Sequence, residues 1–250
     1  MRKGITRNSR ILPALGAAVT VLVLTVVVYL GDFYHADETA REALSAPPVG
    51  VSVTRYADGS VTFSPPEKRT AGLIFYPGGK VESDAYAPLL EQCAARGVFC
   101  VLVRMPGNLA VLDMDAAEDV RAKYAEVERW YIGGHSLGGA IAAAYAAEHT
   151  DEYEGLILLA AYSTRDLRES GLRVLTVRGT EDQVLNEEKY ESSLPNLPEG
   201  YTEVLLDGGC HAYFGSYGAQ RGDGTPTIPP AEQQARTAEA VAALAAWDEG

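Results

Sequence analysis

Residues 131–149 read YIGGHSLGGAIAAAYAAEH. With Trp130 before them, the first residues continue an apolar, strand-like run, RWYIG. From Leu137 the stretch becomes LGGAIAAAYAAEH, a strong helix former whose commonest residue is alanine. Between the two lies Gly134-His135-Ser136-Leu137-Gly138, a Gly-x-Ser-x-Gly pattern. In a chain with 25 glycines among 250 residues the pattern alone carries little weight; its position carries more. A serine on a sharp turn from strand to helix has its hydroxyl lifted above the sheet by a strained backbone. Flanking glycines let strand and helix approach, and the first N–H groups of the helix favour negative charge developing beside them. Ser136 is therefore the candidate nucleophile.

Outward from this turn, strand-like runs alternate with amphipathic ones. Strands are expected at Val49–Val53, Val61–Ser64, Ala71–Tyr76, Val98–Val103, Trp130–Gly133, Gly155–Ala160, Arg173–Arg178 and Thr202–Leu206. Helices are expected at Ser83–Arg96, Ala116–Tyr124, Leu137–His149, Glu187–Ser193 and Ala231–Trp247. LIFY, VFCVLV and GLILLAA are continuously apolar rather than alternating, as in strands buried on both faces of a helix-covered parallel sheet. The turn signal YADGS separates the first two strands, which then form an antiparallel edge. The expected fold is α/β: an eight-stranded, mostly parallel, doubly wound sheet.

The net charge of −13 disfavours nucleic acid as a partner, because phosphate neutralisation needs Lys and Arg. Four cations, Arg2, Lys3, Arg7 and Arg10, precede the 20 uncharged residues Ile11–Leu30. That length suits a membrane-spanning helix with its basic flank in the cytoplasm. The expected organisation is a cytoplasmic basic segment at 1–10, a transmembrane anchor at 11–30, a polar stalk at 31–48 with a short helix at ETAREAL, and an extracytoplasmic domain at 49–250. A cleaved signal peptide followed by secretion is the alternative. Cys93, Cys100 and Cys210 are too few for a disulfide scaffold; Cys93 and Cys100 permit one bridge or remain buried thiols.

Doubly wound sheets place their sites at the carboxyl ends of strands. A serine nucleophile needs a base, and four histidines are available. His35 lies in the expected stalk, His135 inside the turn, and His149 at the far end of the long helix. His211, in LLDGGCHAYFG after the last strand, is the candidate base. Its carboxylate partner should follow RVLTVR, where GTEDQVLN offers Glu181 and Asp182, with Asp182 the better placed for a loop bending toward the histidine. An oxyanion needs two backbone N–H groups. Leu137 supplies one, and the loop PGGKVES after LIFY supplies the other from Gly79, or else Lys80.

Oxyanion loop, serine, acid and histidine thus come in that order along the chain, each after its own strand. The segments FYPGG, GGHSLGG, GTED and GGCHAYFG resemble the α/β-hydrolase superfamily over about Val49 to Trp247. LIFYPGGKVESDAYAPLL looks most like its compact dienelactone-hydrolase-like branch, although the dienelactone hydrolases carry a cysteine nucleophile where this chain has serine. The resemblance implies cleavage of carboxylic esters or thioesters through an acyl-enzyme, without metal or organic cofactor. Acyl transfer by the same triad, and a non-catalytic binding protein on the same fold, are the alternatives. Only about Tyr162 to Leu172 stands where many relatives insert a lid, so an open, shallow site is expected. Met105, Leu109, Tyr162, Tyr213 and Phe214 follow strands and are the expected substrate-lining residues. Arg-Gly-Asp at 221–223 reads as a polar turn rather than an adhesion signal.

Overall fold

The computed structural model describes residues 11–66 and 71–246. The expected basic segment 1–10, and Trp247 at the end of the last expected helix, lie outside these residues. The described chain divides into two units, one ending at Phe33 and one beginning at Tyr34.

The first unit contains helix α1 (Ile11–Gly31), uncharged throughout. Its described side chains, 13–29, are all exposed. Among the described residues no helix is long and apolar enough to cross a membrane. The fold by itself therefore does not establish the transmembrane anchor expected at 11–30.

The second unit is built on one eight-stranded sheet. In chain order the strands are β1 (Ser52–Arg55), β2 (Val61–Ser64), β3 (Ala71–Tyr76), β4 (Val98–Leu102), β5 (Arg129–His135), β6 (Gly155–Leu159), β7 (Arg173–Gly179) and β8 (Thr202–Leu206). Across the sheet they run β1-β2-β4-β3-β5-β6-β7-β8. β1 and β2 pair antiparallel, as does β2 with β4; every other neighbour is parallel. The expected α/β architecture is thus present, with its antiparallel edge. The first strand starts at Ser52 rather than Val49 because Gly50 takes a φ of +93° and turns the chain.

Six helices accompany the sheet: α2 (Glu38–Ser45), α3 (Ala87–Ala94), α4 (Glu118–Lys123), α5 (Leu137–Glu148), α6 (Glu187–Ser193) and α7 (Pro230–Ala245). Alternate residues of each central strand enter opposite core layers. Leu73 and Phe75 join one layer with Leu89 and Leu90 of α3 and Ala238 and Val241 of α7. Ile74 and Tyr76 join the other with Ala142, Ala143 and Ala146 of α5. Both strand faces are covered, which is why these strands read as unbroken apolar runs. Cys93, Cys100 and Cys210 are buried free thiols.

The expected stalk is a correction. From Tyr34 onward this segment is folded onto the domain. Tyr34 N–H donates to Lys80 O at 2.7 Å, and Glu82 N–H donates back to Tyr34 O at 2.9 Å. α2 packs against α3 with its Ala40 and Ala43 buried, and Ala36 just ahead of the helix is buried too. Alanines make a shallow contact that an otherwise polar sequence does not advertise.

Candidate active site

Ser136 follows β5 directly and forms the cap of α5, with φ 53° and ψ −122°. This is a left-handed conformation that non-glycine residues avoid, and it persists only where neighbours enforce it. The neighbours are visible. Ser136 N–H donates to Leu159 O in β6 at 2.9 Å, and Ser136 O accepts from Ala140 N–H at 3.1 Å. A Cβ on Gly138 would stand 2.2 Å from Pro77 O, and one on Gly134 would stand 2.5 Å from Tyr76 O. The two glycines of the pattern are what let α5 start this close to β3. Lys80, Asn108 and Ala160 also have positive φ. All four such non-glycine residues among those described lie on segments that leave the carboxyl ends of β3, β4, β5 and β6.

The acid and the base meet. His211 Nδ1 lies 2.9 Å from Asp182 Oδ2, with both side chains only 2% exposed. Asp182 Oδ1 accepts the N–H groups of Val184 at 2.9 Å and Leu185 at 2.8 Å. The carboxylate is therefore fixed as an acceptor, and His211 carries its proton on Nδ1. Glu181, the other carboxylate considered, accepts instead from the Thr180 hydroxyl at 3.3 Å. His211 Nε2 is buried and has no hydrogen-bond partner. That leaves it free to accept a proton; no hydrogen bond joins it to Ser136 Oγ in this structure. The other two candidate bases are elsewhere: His149 stacks on Tyr145 at 4.1 Å, and His35 lies 3.5 Å from Glu82.

The loop after β3 sorts its amides. Gly78 N–H donates to the Tyr86 hydroxyl at 3.0 Å, and Lys80 N–H donates to Asn108 O at 2.7 Å. Lys80 is thereby removed as an oxyanion donor. Gly79, between them, abuts Leu137: an added Cβ would meet Leu137 Cδ2 at 2.9 Å. The two expected oxyanion amides thus belong to touching residues.

Sequence reasoning left His135 without a role. It is buried, its Nδ1 lies 2.7 Å from the Tyr86 hydroxyl, and its ring centroid is 4.6 Å from that of His211. Burial, then the nearby His211, holds His135 well below the usual imidazole value, so it stays neutral. Burial raises the Tyr86 phenol, which keeps its proton; having accepted from Gly78, it donates to His135 Nδ1. Cys210 precedes the candidate base, yet burial, and then the Asp223 carboxylate, push its thiol up to about 12. A thiol held protonated is no nucleophile.

The expected substrate wall is placed unevenly. Leu109, Tyr162 and Tyr213 are half-buried. Met105 and Phe214 are core residues, 3% and 0% exposed, in opposite layers of the sheet. Both pack within the core, where an apolar residue after a strand can also sit. Clefts of about 420 Å³ beside β4 and about 650 Å³ near the start of β5 include none of Ser136, Asp182 or His211. Among the described residues no cluster of His, Cys, Asp and Glu is arranged to hold a metal ion.

Residues 72–235 match the model of a family described as the alpha/beta hydrolase family. No curated protein matches the chain. Solved structures are similar at the level of fold. The esterase domain of a Rhodothermus marinus protein is 14% identical with a TM-score of 0.57, over 77% of this chain and 95% of that one. Est1E from Butyrivibrio proteoclasticus is 16% identical with a TM-score of 0.56, over 78% and 98%. A membrane phospholipase A, described as a bacterial virulence factor, is 15% identical with a TM-score of 0.56, over 94% and 97%.

Proposed function

Because this chain belongs to the alpha/beta hydrolase family, we propose that it is a serine hydrolase cleaving carboxylic esters, thioesters included, through an acyl-enzyme. The observation that carries this reading is the buried His211–Asp182 pair, with a free Nε2, on loops that leave the same carboxyl end of the parallel strands as a serine held at φ 53°. In the reaction, Ser136 Oγ attacks the acyl carbon while His211 Nε2 takes its proton. Asp182 holds the imidazole tautomer and stabilises the imidazolium. The N–H groups of Leu137 and Gly79 receive the charge that develops on the carbonyl oxygen. His211 then protonates the departing alkoxide or thiolate. Water repeats the sequence on the acyl-enzyme and frees the acid.

Only Ala160–Leu172 connects β6 to β7, with no inserted lid, which suits small or single-chain acyl esters reaching an open site. Relatives of the same fold bear esterase and phospholipase names. The test is hydrolysis of a p-nitrophenyl ester series of rising acyl length by the full chain, beside Ser136→Ala. Turnover abolished by the substitution supports the reading. No turnover, or turnover that survives it, sinks it. Product analysis with added acceptor alcohols separates hydrolysis from acyl transfer.

The same proposal places the domain outside the cytoplasm on an N-terminal anchor. Its support is the run of uncharged residues 11–30 behind Arg2, Lys3, Arg7 and Arg10, and the exposure of every described apolar side chain from 13 to 29. A helix apolar on all sides lacks a water-facing stripe. Carbonate extraction of membranes from expressing cells checks this. Retention of full-length chain supports the anchor; release of it overturns the anchor, and recovery of a shortened chain outside the cell indicates signal cleavage.

A further inference from the structure

The turn at 220–224 lies outside the proposed chemistry, yet it touches both loops that carry the histidine–acid pair. Asp223 Oδ2 accepts Ala212 N–H at 2.8 Å. Its Oδ1 accepts the N–H groups of His211 at 3.2 Å, Gln183 at 3.4 Å and Gly224 at 2.9 Å. One carboxylate thus gathers amides from the loop that carries His211, the loop that carries Asp182 and its own turn. Gly224 is pressed against the acid loop: a Cβ there would stand 2.0 Å from Glu181 O. Arg221 N–H donates to the Tyr34 hydroxyl at 3.1 Å, tying the turn to the segment ahead of α2.

We propose that Asp223 is a positioning residue, which locks the loops of His211 and Asp182 in register so that His211 Nε2 is held where the nucleophile's proton is delivered. The proposal rests on His211 being the base. An ionised carboxylate suits the task because it only accepts, and four converging N–H groups need acceptors alone. An amide in its place turns one oxygen into a donor and sets it against a backbone N–H. The same geometry removes the adhesion reading of Arg221-Gly222-Asp223, since both carboxylate oxygens are already bonded within the domain.

The test uses the full chain in detergent, with p-nitrophenyl butyrate turnover and the low-field proton resonance of His211 Nδ1–H as readouts. Asp223→Asn is expected to lower kcat about 10²-fold, the scale of a small misplacement of reacting groups, with KM little changed. It should also broaden or abolish the resonance. Arg221→Ala, in the same turn, should change neither readout. If Asp223→Asn does not fold, Asp223→Glu keeps the charge but displaces it by one methylene, and a loss of kcat and of the resonance is again expected. Wild-type kcat and an intact resonance in whichever variant folds would overturn the proposal, as would the absence of the resonance from the wild type. A wild type with the resonance but no turnover defeats the hydrolase reading instead, and the resonance in Asp223→Asn then decides the positioning role alone.

Discussion

His211 Nδ1 and Asp182 Oδ2 are 2.9 Å apart, and neither side chain is more than 2% exposed. Asp182 keeps its other oxygen on two amides of its own loop, so it has no freedom to leave the histidine. Asp182→Asn preserves the shape and presents an N–H to Nδ1, which forces the proton onto Nε2, the wrong nitrogen for a base. We expect kcat to fall about 10⁴-fold, as for the equivalent change in a serine protease triad, with little loss of thermal stability. Steady-state kinetics beside a thermal melt checks it; a loss under about tenfold in a folded variant removes Asp182 from the reaction.

The parts of this arrangement differ in how legible they were. β3, β4 and β6 announce themselves because both their faces are covered and LIFY, VFCVLV and GLILLAA are apolar without interruption. Ser136 and His211 could be singled out because each follows its own strand. The choice of Asp182 over Glu181 needed side-chain geometry that spacing only suggested. Residues 34–48 read as a stalk because their contact is made by alanines, which add little apolar signal. His135 and Asp223 escaped for another reason: their partners, Tyr86 and the 211–212 amides, are 49 and 11 to 12 residues away. The Gly-Asp-Gly turn downstream of the histidine was the one local signal for Asp223. Met105 and Phe214 lie in opposite core layers, a difference not legible in the sequence because nothing in it tells which side of a strand's end an apolar residue fills.

The backbone at Ser136 stores strain, at φ 53° and ψ −122°, that glycine does not feel. Both Ser136→Ala and Ser136→Gly remove the nucleophile, but only the second relieves the Cβ. We expect Ser136→Gly to be the more stable of the two by about 1–2 kcal/mol, the range of such strain. Urea unfolding of both inactive variants measures the difference. Equal stabilities, or a more stable alanine variant, would show that the turn is not strained.

Gly79 sits where a Cβ would meet Leu137 Cδ2 at 2.9 Å and Leu137 Cβ at 3.3 Å. Gly79→Ala should push the two oxyanion amides apart and lower kcat about 10²-fold, the cost of one lost donor, with KM nearly unchanged. The clash is mostly with the end of the leucine side chain. Adding Leu137→Ala should therefore recover about tenfold of the loss, a coupling expected only between touching residues. Additive effects in the double variant would remove Gly79 from the oxyanion site.

His135 gives the fold a pH dependence of known sign. Burial holds it neutral well below the usual imidazole value, with the His211 ring 4.6 Å away and the Tyr86 hydroxyl on Nδ1. The unfolded chain binds a proton at this residue near pH 6.5, whereas the folded chain does not until the pH is far lower. Its contribution to stability is therefore complete above that pH and is lost as the pH falls, at up to about 1.4 kcal/mol per unit. Carboxylates with lowered values, such as Asp58 and Asp166, act in the same direction but in a more acid range. Replacing His135 with Gln keeps an acceptor for Tyr86 and removes the titration. Between pH 6.5 and 5 the wild type should lose up to about 2 kcal/mol more than His135→Gln in urea unfolding. Parallel curves would mean that His135 is protonated in the folded state. It would then place a positive charge beside His211, against the imidazolium that turnover has to form there.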